Sequence, residues 1–382
     1  MTLRWLRIAA TGLSISFVMI GAEAIRITFS GPKTVDFLSY WAAARLVITD
    51  RIGAVYNIAA HRSLELSVAP VPGWLPFPYP PPFLLLVTPF GQMSYPAAFA
   101  SWLVITYMLF VVAAALAGRR QLLPFALAHP GVVPNFLIGQ NGFLTSSLFM
   151  TGSHLLSRNP ILGGAILGLL VIKPQLGVAI PFALIAGREW KAVAGAAISS
   201  IGALVIAGLV LGVEAFNGFL NILPAYANSL AASQWPWNEM ASTFAALRFM
   251  GIPQGLALAI HVAVAAIAII VTCRAWWNHS EDQVPTLAAA TILVPPYLFT
   301  YDSLFLALPM IAIIRKGHSM LVLGTIWGLC LLPITTYFDW YPGPNTVPLA
   351  ALLCLWMLNA PLRSKELTTR RGQTSAATGG AH

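Results

Sequence analysis

Long apolar runs separated by short polar turns occupy most of the 382-residue chain. Several runs are shorter than the roughly 20 residues that a straight membrane crossing needs. Short runs that end at Gly, Pro or polar residues indicate irregular backbone at membrane depth, which is tolerated where protein or a water-filled cavity covers it. The pattern predicts an all-α polytopic membrane protein, with about 11–13 transmembrane helices around a cavity. The candidate segments are 8–28, 95–117, 122–138, 141–156, 161–173, 175–187, 191–213, 253–276, 284–300, 303–315, 319–337 and 346–361.

The composition excludes a soluble globular protein. Hydrophobic residues make up 58% and charged residues 9% of the chain, whereas soluble domains have about 25% charged residues. The net charge of +9 does not indicate a nucleic-acid partner, because the basic residues occur in ones and twos rather than in a patch. The three cysteines lie in apolar runs without metal-type spacing, so neither disulfides nor a zinc site are predicted.

The basic residues between the apolar runs indicate the topology. Most of the 21 Lys and Arg residues fall on one side of the predicted arrangement, which the positive-inside rule makes the cytoplasm. Both termini are then cytoplasmic, and the first run is a retained helix because no clean cleavage site follows it. One domain is predicted at 1–362, with outer loops at about 29–82 and 214–252 and a disordered cytoplasmic tail at 363–382. The run 83–90 is predicted to be re-entrant or interfacial.

The stretch after the first apolar run places an acid at the membrane surface. Asp36 starts a helical pattern in which Phe37, Trp41, Ala44 and Ile48 share one face, which predicts an interfacial amphipathic helix. The chain has only 12 acidic residues, so this carboxylate is a candidate catalytic group. The alternative is that the acid only complements the positive end of the helix.

A second amphipathic helix is predicted at about 52–66. Here His61 and Glu65 are spaced i,i+4, and a solvated pair is expected. The segment PVPGWLPFPYPPP follows, and its prolines favour an extended path along the surface.

Three short motifs place polar side chains between apolar runs. GQNG carries Gln140 and Asn141, whose amides either bind a ligand or form a hydrogen-bonded turn between helices. IKPQ carries Lys173, which either meets an anion such as phosphate or snorkels to lipid headgroups. PPYLFTYDSLFL carries Tyr301 and Asp302, where the acid either binds a hydroxyl or a cation or caps the helix that follows.

Motifs of the commoner membrane enzymes are missing from the sequence. There is no Walker A loop, no HExxH, no GxSxG in a strand–turn–helix setting, and no cytoplasmic domain able to hold a nucleotide sugar. An activated substrate must therefore be held within the membrane domain. A lipid-linked donor meets this requirement.

The order of several short motifs resembles a known family. VDFLSYWAAARLV with a following Val55-Tyr56, then YPPPF with Pro89 beyond it, GQNG, GGAILGLLVIKPQ and PPYLFTYDSLFL resemble glycosyltransferase family 87. These are bacterial mannosyltransferases that use polyprenol-phosphate sugars and have the GT-C membrane fold. The resemblance covers roughly residues 30 to 310. Each motif is short and degenerate, and their order carries the resemblance.

The resemblance implies transfer of a hexose, typically mannose, from a polyprenyl-phosphate carrier to an acceptor hydroxyl. The site would face the periplasm or cell exterior of the bacterial cytoplasmic membrane, and Asp36 would be the general base. Lys173, Arg248 and Arg62 are the candidates for neutralising the phosphate. Family members often carry a His before the Tyr-Asp pair, where this chain has Tyr297. The predicted substrate-binding residues are Tyr40, Arg62, Gln140, Asn141, Lys173, Gln175, Arg248, Tyr297, Tyr301 and Asp302.

The expected partners are the lipid-linked donor, membrane lipid, and a glycan, glycolipid or protein acceptor. No cofactor is predicted, and a divalent cation shared by Asp36 and Asp302 is an open alternative. Two other functions are considered. A lipid or oligosaccharide transporter would also use broken helices, but it predicts inverted repeats and midplane charges. A non-catalytic partner in an envelope complex is less favoured, because the chain has no extended soluble domain.

Overall fold

The computed structural model describes residues 3–31, 35–70, 75–118, 120–231, 236–338 and 340–360. This part of the chain is all-helical, with 79% helix and no strands. The predicted tail at 363–382 lies outside it. The α-helices are α1 Leu3–Ser30, α2 Phe37–Ile48, α3 Ile58–Leu66, α4 Pro81–Val87, α5 Tyr95–Ala117, α6 Leu123–Leu127, α7 Val132–Ile138, α8 Gly142–Leu156, α9 Pro160–Gly168, α10 Ala179–Ala186, α11 Trp190–Ala231, α12 Thr243–Phe249, α13 Gln254–Trp277, α14 Gln283–Leu293, α15 Ala307–Arg315, α16 Met320–Leu331 and α17 Val347–Asn359.

Several helices are long and apolar enough to cross a membrane. The described residues contain five of them, in α1, α5, α11, α13 and the run Met320–Tyr337, or six if the pair α6 and α7, bent by 56°, is one span. Each of the twelve predicted segments contains helix, but several of these helices are short. The predicted polytopic membrane protein is confirmed, and the number of crossings stays a prediction. The short α4 covers the run predicted to be re-entrant or interfacial.

The turns that carry the polar motifs lie at one end of the helix bundle. α8 starts next to Asn141, and α15 follows Asp302 closely. Lys173, between α9 and α10, donates hydrogen bonds to both of these residues. The three helices α8, α10 and α15 run from there to the opposite end, where basic residues stand; these are Arg158 after α8, Arg188 after α10 and Arg315 at the end of α15.

Contacts at the opposite end join the basic turns to one another. Arg188 lies over the Trp277 ring at 4.5 Å. Lys316 pairs with Asp282 and donates to the Leu358 carbonyl at 3.2 Å, which brings the ends of α15 and α17 to the start of α14. The polar motifs and the basic turns therefore occupy opposite ends of the molecule, as the alternation of basic residues predicts.

The helix α2 starts where the sequence predicts, but its surroundings differ. Ten of its twelve residues are buried, so protein encloses it and it lacks the exposed polar face of the predicted amphipathic helix. Trp41 donates to the Met93 carbonyl at 3.0 Å, across the turn that follows α4. Gly91 allows this close approach, because a Cβ there would lie 2.6 Å from the Ala44 carbonyl carbon. The helix α2 packs against protein on nearly all sides. The periodicity of its sequence does not reveal this, so the prediction of an exposed face is wrong.

The predicted solvated pair on α3 is wrong. His61 and Glu65 are 1% and 0% exposed, with 3.3 Å between His61 Nε2 and Glu65 Oε1. The part of the proline-rich segment that the structure describes after residue 74 covers them, and Glu65 Oε2 accepts a hydrogen bond from the Leu75 amide at 3.3 Å. Ser39 Oγ on α2 lies 3.4 Å from His61 Nε2 and donates to the Pro76 carbonyl at 3.0 Å. The pair therefore fixes the proline-rich segment against α2.

The second predicted outer loop, 214–252, is largely helical. α11 continues to Ala231 after a break at Gly212, whose φ of 73° is positive and favours glycine, and α12 follows. The second half of α11 packs on the first outer segment, where Phe219 and Tyr56 have ring centroids 5.8 Å apart. This tertiary contact gives the helix a partner that the local sequence does not show.

Candidate active site

Two adjoining cavities lie at the end of the bundle that carries the polar motifs. The first, called the acid cavity here, has a volume of about 390 Å³ and is lined by Asp36, Tyr40, Gln140 and Glu239 among others. The second, called the lysine cavity, has a volume of about 330 Å³, and its lining includes Lys173, Gln175, Tyr297 and Asp302. Four residues line both cavities and form the wall between them: Pro78, Tyr79, Phe299 and Tyr301.

Asp36 is held by a hydrogen-bonded group around Gln140. Gln140 Nε2 donates to Asp36 Oδ2 at 2.6 Å. Gln140 Oε1 accepts from the hydroxyls of Tyr40 and Tyr79, the latter at 3.2 Å. The turn that presents Gln140 needs glycine at residue 139, where φ is 68° and a Cβ would lie 2.7 Å from the Phe37 Cβ. The Gln140 amide is therefore held at its oxygen by two tyrosine hydroxyls, while its nitrogen orients the Asp36 carboxylate.

Lys173 lies in a buried ion pair in the wall of the lysine cavity. It separates two 3-10 segments, Leu169–Ile172 and Pro174–Gly177. Its Nζ donates to Asp302 Oδ1 at 2.6 Å and to Asn141 Oδ1 at 3.1 Å, and it lies 4.7 Å from the centre of the Tyr301 ring. The residue is 2% exposed, so the alternative of snorkelling to headgroups is wrong.

Asp302 combines two of the roles considered for it. Its Oδ1 pairs with Lys173, while its Oδ2 accepts a hydrogen bond from the Phe299 amide at 3.3 Å and so caps the 3-10 segment Thr300–Leu306. Lys173 and the Phe299 amide therefore contact both oxygens of this carboxylate, and the divalent cation shared by Asp36 and Asp302 stays an open prediction.

Consecutive residues of the GQNG turn connect the two charged groups. The Gln140 side chain binds Asp36, and the Asn141 side chain binds Lys173. Thus a single turn positions the carboxylate that lines one cavity and the ammonium that lines the other. Asn135 supports the turn, because its Oδ1 accepts from the Gly142 amide at 2.8 Å and its Nδ2 donates to the Tyr301 carbonyl at 3.0 Å.

A comparison with known protein families covers the part of the chain that contains the GQNG turn, Lys173 and Asp302. A family model described as glycosyltransferase family 87 matches residues 77–309. The chain belongs to glycosyltransferase family 87. No curated protein and no solved structure matches it.

The family match makes the protein a membrane glycosyltransferase. The matched range includes the GQNG turn and the Lys173–Asp302 pair, whereas Asp36 precedes it. The hydrogen bond from Gln140 joins Asp36 to the matched part of this glycosyltransferase. Asp36 is therefore linked to the family's segment by geometry and not by the match itself.

The environment of Asp36 changes its acidity. Burial raises the pKa of the Asp36 carboxyl, while the hydrogen bond from Gln140 and the charge of Lys173 lower it and so oppose this effect. The carboxyl therefore binds a proton more readily than an exposed aspartate, and it faces a cavity that can hold a hydroxyl.

Two predicted binding residues of the glycosyltransferase are not brought into the site. Arg62 is exposed on α3, and Arg248 on α12 donates to the Ile252 carbonyl at 2.8 Å. Neither lines the acid or the lysine cavity. Their positions correct the prediction that they accompany Lys173, because Arg62 is exposed and the Arg248 guanidinium binds a main-chain carbonyl instead. Tyr297, by contrast, lines the lysine cavity and is 44% exposed.

Tyr79 and Glu239 line the acid cavity, but neither is among the binding residues predicted from the sequence. Tyr79 stands in the proline-rich segment, for which the sequence predicts an extended path along the surface. Glu239 stands in the aromatic, weakly charged segment before α12. The scarcity of acids, which singles out Asp36, applies equally to Glu239 and is the signal that could have found it.

Proposed function

We propose that this glycosyltransferase transfers a hexose, with mannose as the first candidate, from a polyprenyl-phosphate carrier to an acceptor hydroxyl. In this proposal the acceptor oxygen attacks the anomeric carbon, and Asp36 takes the hydroxyl proton. The bond between the anomeric carbon and the phosphate oxygen breaks, and polyprenyl phosphate leaves with the electron pair. The observation that carries the proposal is the pairing of a proton-accepting carboxyl and a buried ammonium in two cavities that share one wall.

The lysine cavity suits the donor phosphate. A lysine ammonium has three hydrogens, of which two are used by Asn141 and Asp302, so one remains for a phosphate oxygen. Apolar side chains such as Leu223 and Met240 line the same cavity, which fits a phosphate joined to a hydrocarbon chain. Lys173 would stabilise the negative charge that grows on the leaving phosphate.

The acid cavity suits the acceptor. Asp36 lines it together with the rings of Tyr40 and Tyr79, and a sugar acceptor packs well against aromatic faces while its hydroxyls bind polar groups. The cavity lies at the end of the bundle opposite the basic turns. By the positive-inside rule this end is the outer face of the bacterial cytoplasmic membrane.

The transporter alternative and the transferase predict different products. We expect purified protein supplied with radiolabelled polyprenyl-phosphate mannose and an alkyl mannoside to release one polyprenyl phosphate for each sugar transferred. Thin-layer chromatography of both products measures this ratio. Movement of the intact donor across proteoliposomes without release of polyprenyl phosphate would contradict the proposal. A panel of donors carrying other hexoses or pentoses then identifies the sugar.

The hydrogen bond from Gln140 predicts a shift in the pH dependence of transfer. Gln140→Glu keeps the size of the side chain and an acceptor for Tyr40 and Tyr79, but it replaces the donor to Asp36 by a second acid. A base must be deprotonated, so activity falls as the pH drops through the Asp36 pKa. Because a like charge raises that pKa further, we expect the acidic limb of kcat to move up by about one pH unit or more.

The matched control for this prediction is Gln121→Glu. Gln121 is exposed in the 3-10 segment Arg120–Leu122, at the end of the bundle that carries the basic turns. It should leave the pH profile unchanged. An unshifted acidic limb in an active Gln140→Glu enzyme would show that Asp36 is not the titrating base.

A further inference from the structure

The acid cavity contains a second carboxyl group besides Asp36. Glu239 lines it near Pro236, and the Glu239 main chain is fixed by several hydrogen bonds. Its amide donates to the Pro236 carbonyl at 3.0 Å, and its carbonyl accepts from both the amide and the hydroxyl of Thr300 at 3.0 Å. Glu239 is therefore held against the segment that leads into Tyr301.

The Glu239 carboxyl has no compensating partner among the described residues. None of the hydrogen bonds or ion pairs found there involves its side chain. Burial and, to a smaller extent, the charge of Asp36 together raise the pKa of Glu239 to about 7. The two carboxyls therefore interact electrostatically, and Glu239 is available to a ligand.

The distribution of charge differs between the two cavities. The acidic residues that line the acid cavity are Asp36 and Glu239, and its described lining includes no Lys or Arg. The basic residue nearby, Lys173, lines the lysine cavity, where Asp302 and Asn141 bind it. Charge therefore opposes an anion in the acid cavity, whereas the lysine cavity, in which Asp302 balances Lys173, still offers an anion one ammonium hydrogen.

We propose that Glu239 determines acceptor specificity. It binds a hydroxyl of an uncharged sugar ring and, together with Asp36, excludes acceptors whose accepting ring carries a phosphate or a carboxylate. The inference rests on the proposed function, in which Asp36 activates the acceptor in this cavity. Its physical basis is that a carboxylate accepts hydrogen bonds from hydroxyls, whereas like charges placed together in a poorly solvated cavity repel strongly and so provide discrimination.

The test compares two acceptors that differ in one charged group. Transfer from radiolabelled polyprenyl-phosphate mannose to an alkyl α-mannoside and to its 6-phosphate is measured at pH 8, where a carboxyl with a pKa of about 7 is ionised. For the wild type, we expect kcat/KM to favour the neutral acceptor by about tenfold or more. Glu239→Gln keeps the size and removes the charge. It should raise the KM for the neutral acceptor with little change in kcat, and it should reduce the preference at least severalfold.

Glu214→Gln is the matched control, because Glu214 is exposed on α11 and lines neither cavity. It should retain the wild-type preference. An equal preference in the wild type and Glu239→Gln, with both enzymes active, would overturn the inference and leave the proposed function intact. Absence of any transfer by the wild type would instead contradict the proposed function. Binding of the alkyl mannoside without donor, measured by saturation-transfer NMR, separates these cases, since weaker binding to Glu239→Gln is expected even without turnover.

Discussion

Asp36→Asn should lower kcat for sugar transfer by about 10²–10⁴-fold, the usual contribution of a positioned general base. The asparagine has the same shape, and its oxygen can still accept the hydrogen bond from Gln140 Nε2 that is 2.6 Å long in the wild type. It cannot take a proton from the acceptor. The KM for the donor should therefore change little, because the lysine cavity is untouched. Initial rates with radiolabelled polyprenyl-phosphate mannose check both quantities.

Asp50→Asn is the control for this substitution. Asp50 is exposed just after α2 and has φ of 55°, a left-handed conformation that Asn also tolerates. This variant should transfer sugar at the wild-type rate. Undiminished transfer by Asp36→Asn would remove Asp36 from the mechanism, whatever its place in the cavity.

Lys173→Met should have the largest effect on stability. Removal of the ammonium leaves the Asp302 carboxylate buried without its partner, and loss of one member of a buried ion pair costs about 3–5 kcal/mol. The Oδ2 contact with the Phe299 amide, at 3.3 Å, cannot satisfy the charge by itself. We expect a lower midpoint of thermal unfolding in detergent, together with loss of transfer.

The double variant Lys173→Met/Asp302→Asn separates folding from function. It removes both charges, and the asparagine oxygen can still cap the segment that starts at Thr300. Most of the lost stability should return, because no unpaired charge remains buried. Transfer should stay low and the KM for the donor high, since no ammonium is left for the phosphate. Recovery of wild-type activity in the double variant would contradict the role of Lys173.

Hydrophobic patterning and the placement of basic residues were sufficient to predict most of the helices and the two ends of the bundle, although the second half of α11 and α12 were predicted as loop. Apolar runs and the placement of basic residues are local properties, so the segments that contain α5 or α13 and the end where Arg315 lies can be predicted without tertiary contacts. The grouping of Gln140, Lys173 and Asp302 could be anticipated for a related reason. Polar side chains at membrane depth must meet one another or a ligand.

Burial within the first outer segment could not be predicted in the same way. The amphipathic pattern of α3 indicates an exposed face, but residues 75–82 of the proline-rich segment pack on it, and His61 and Glu65 are buried. Arg62 and Arg248 were grouped with Lys173 because all three are cations on the same side, yet only the fold decides which way each side chain points. Glu239 enters the site through hydrogen bonds to Thr300, 61 residues away in the sequence, which no local pattern encodes.

In the proposed mechanism, Asp36 and Lys173 act on the two partners of one reaction in adjoining cavities. A structure of the Asp36→Asn enzyme with polyprenyl-phosphate mannose and an alkyl mannoside bound would test this arrangement. We expect the acceptor hydroxyl to lie about 2.6–3.2 Å from the side chain at position 36, with a phosphate oxygen beside Lys173 Nζ. A phosphate bound away from Lys173, or an acceptor outside the acid cavity, would contradict it.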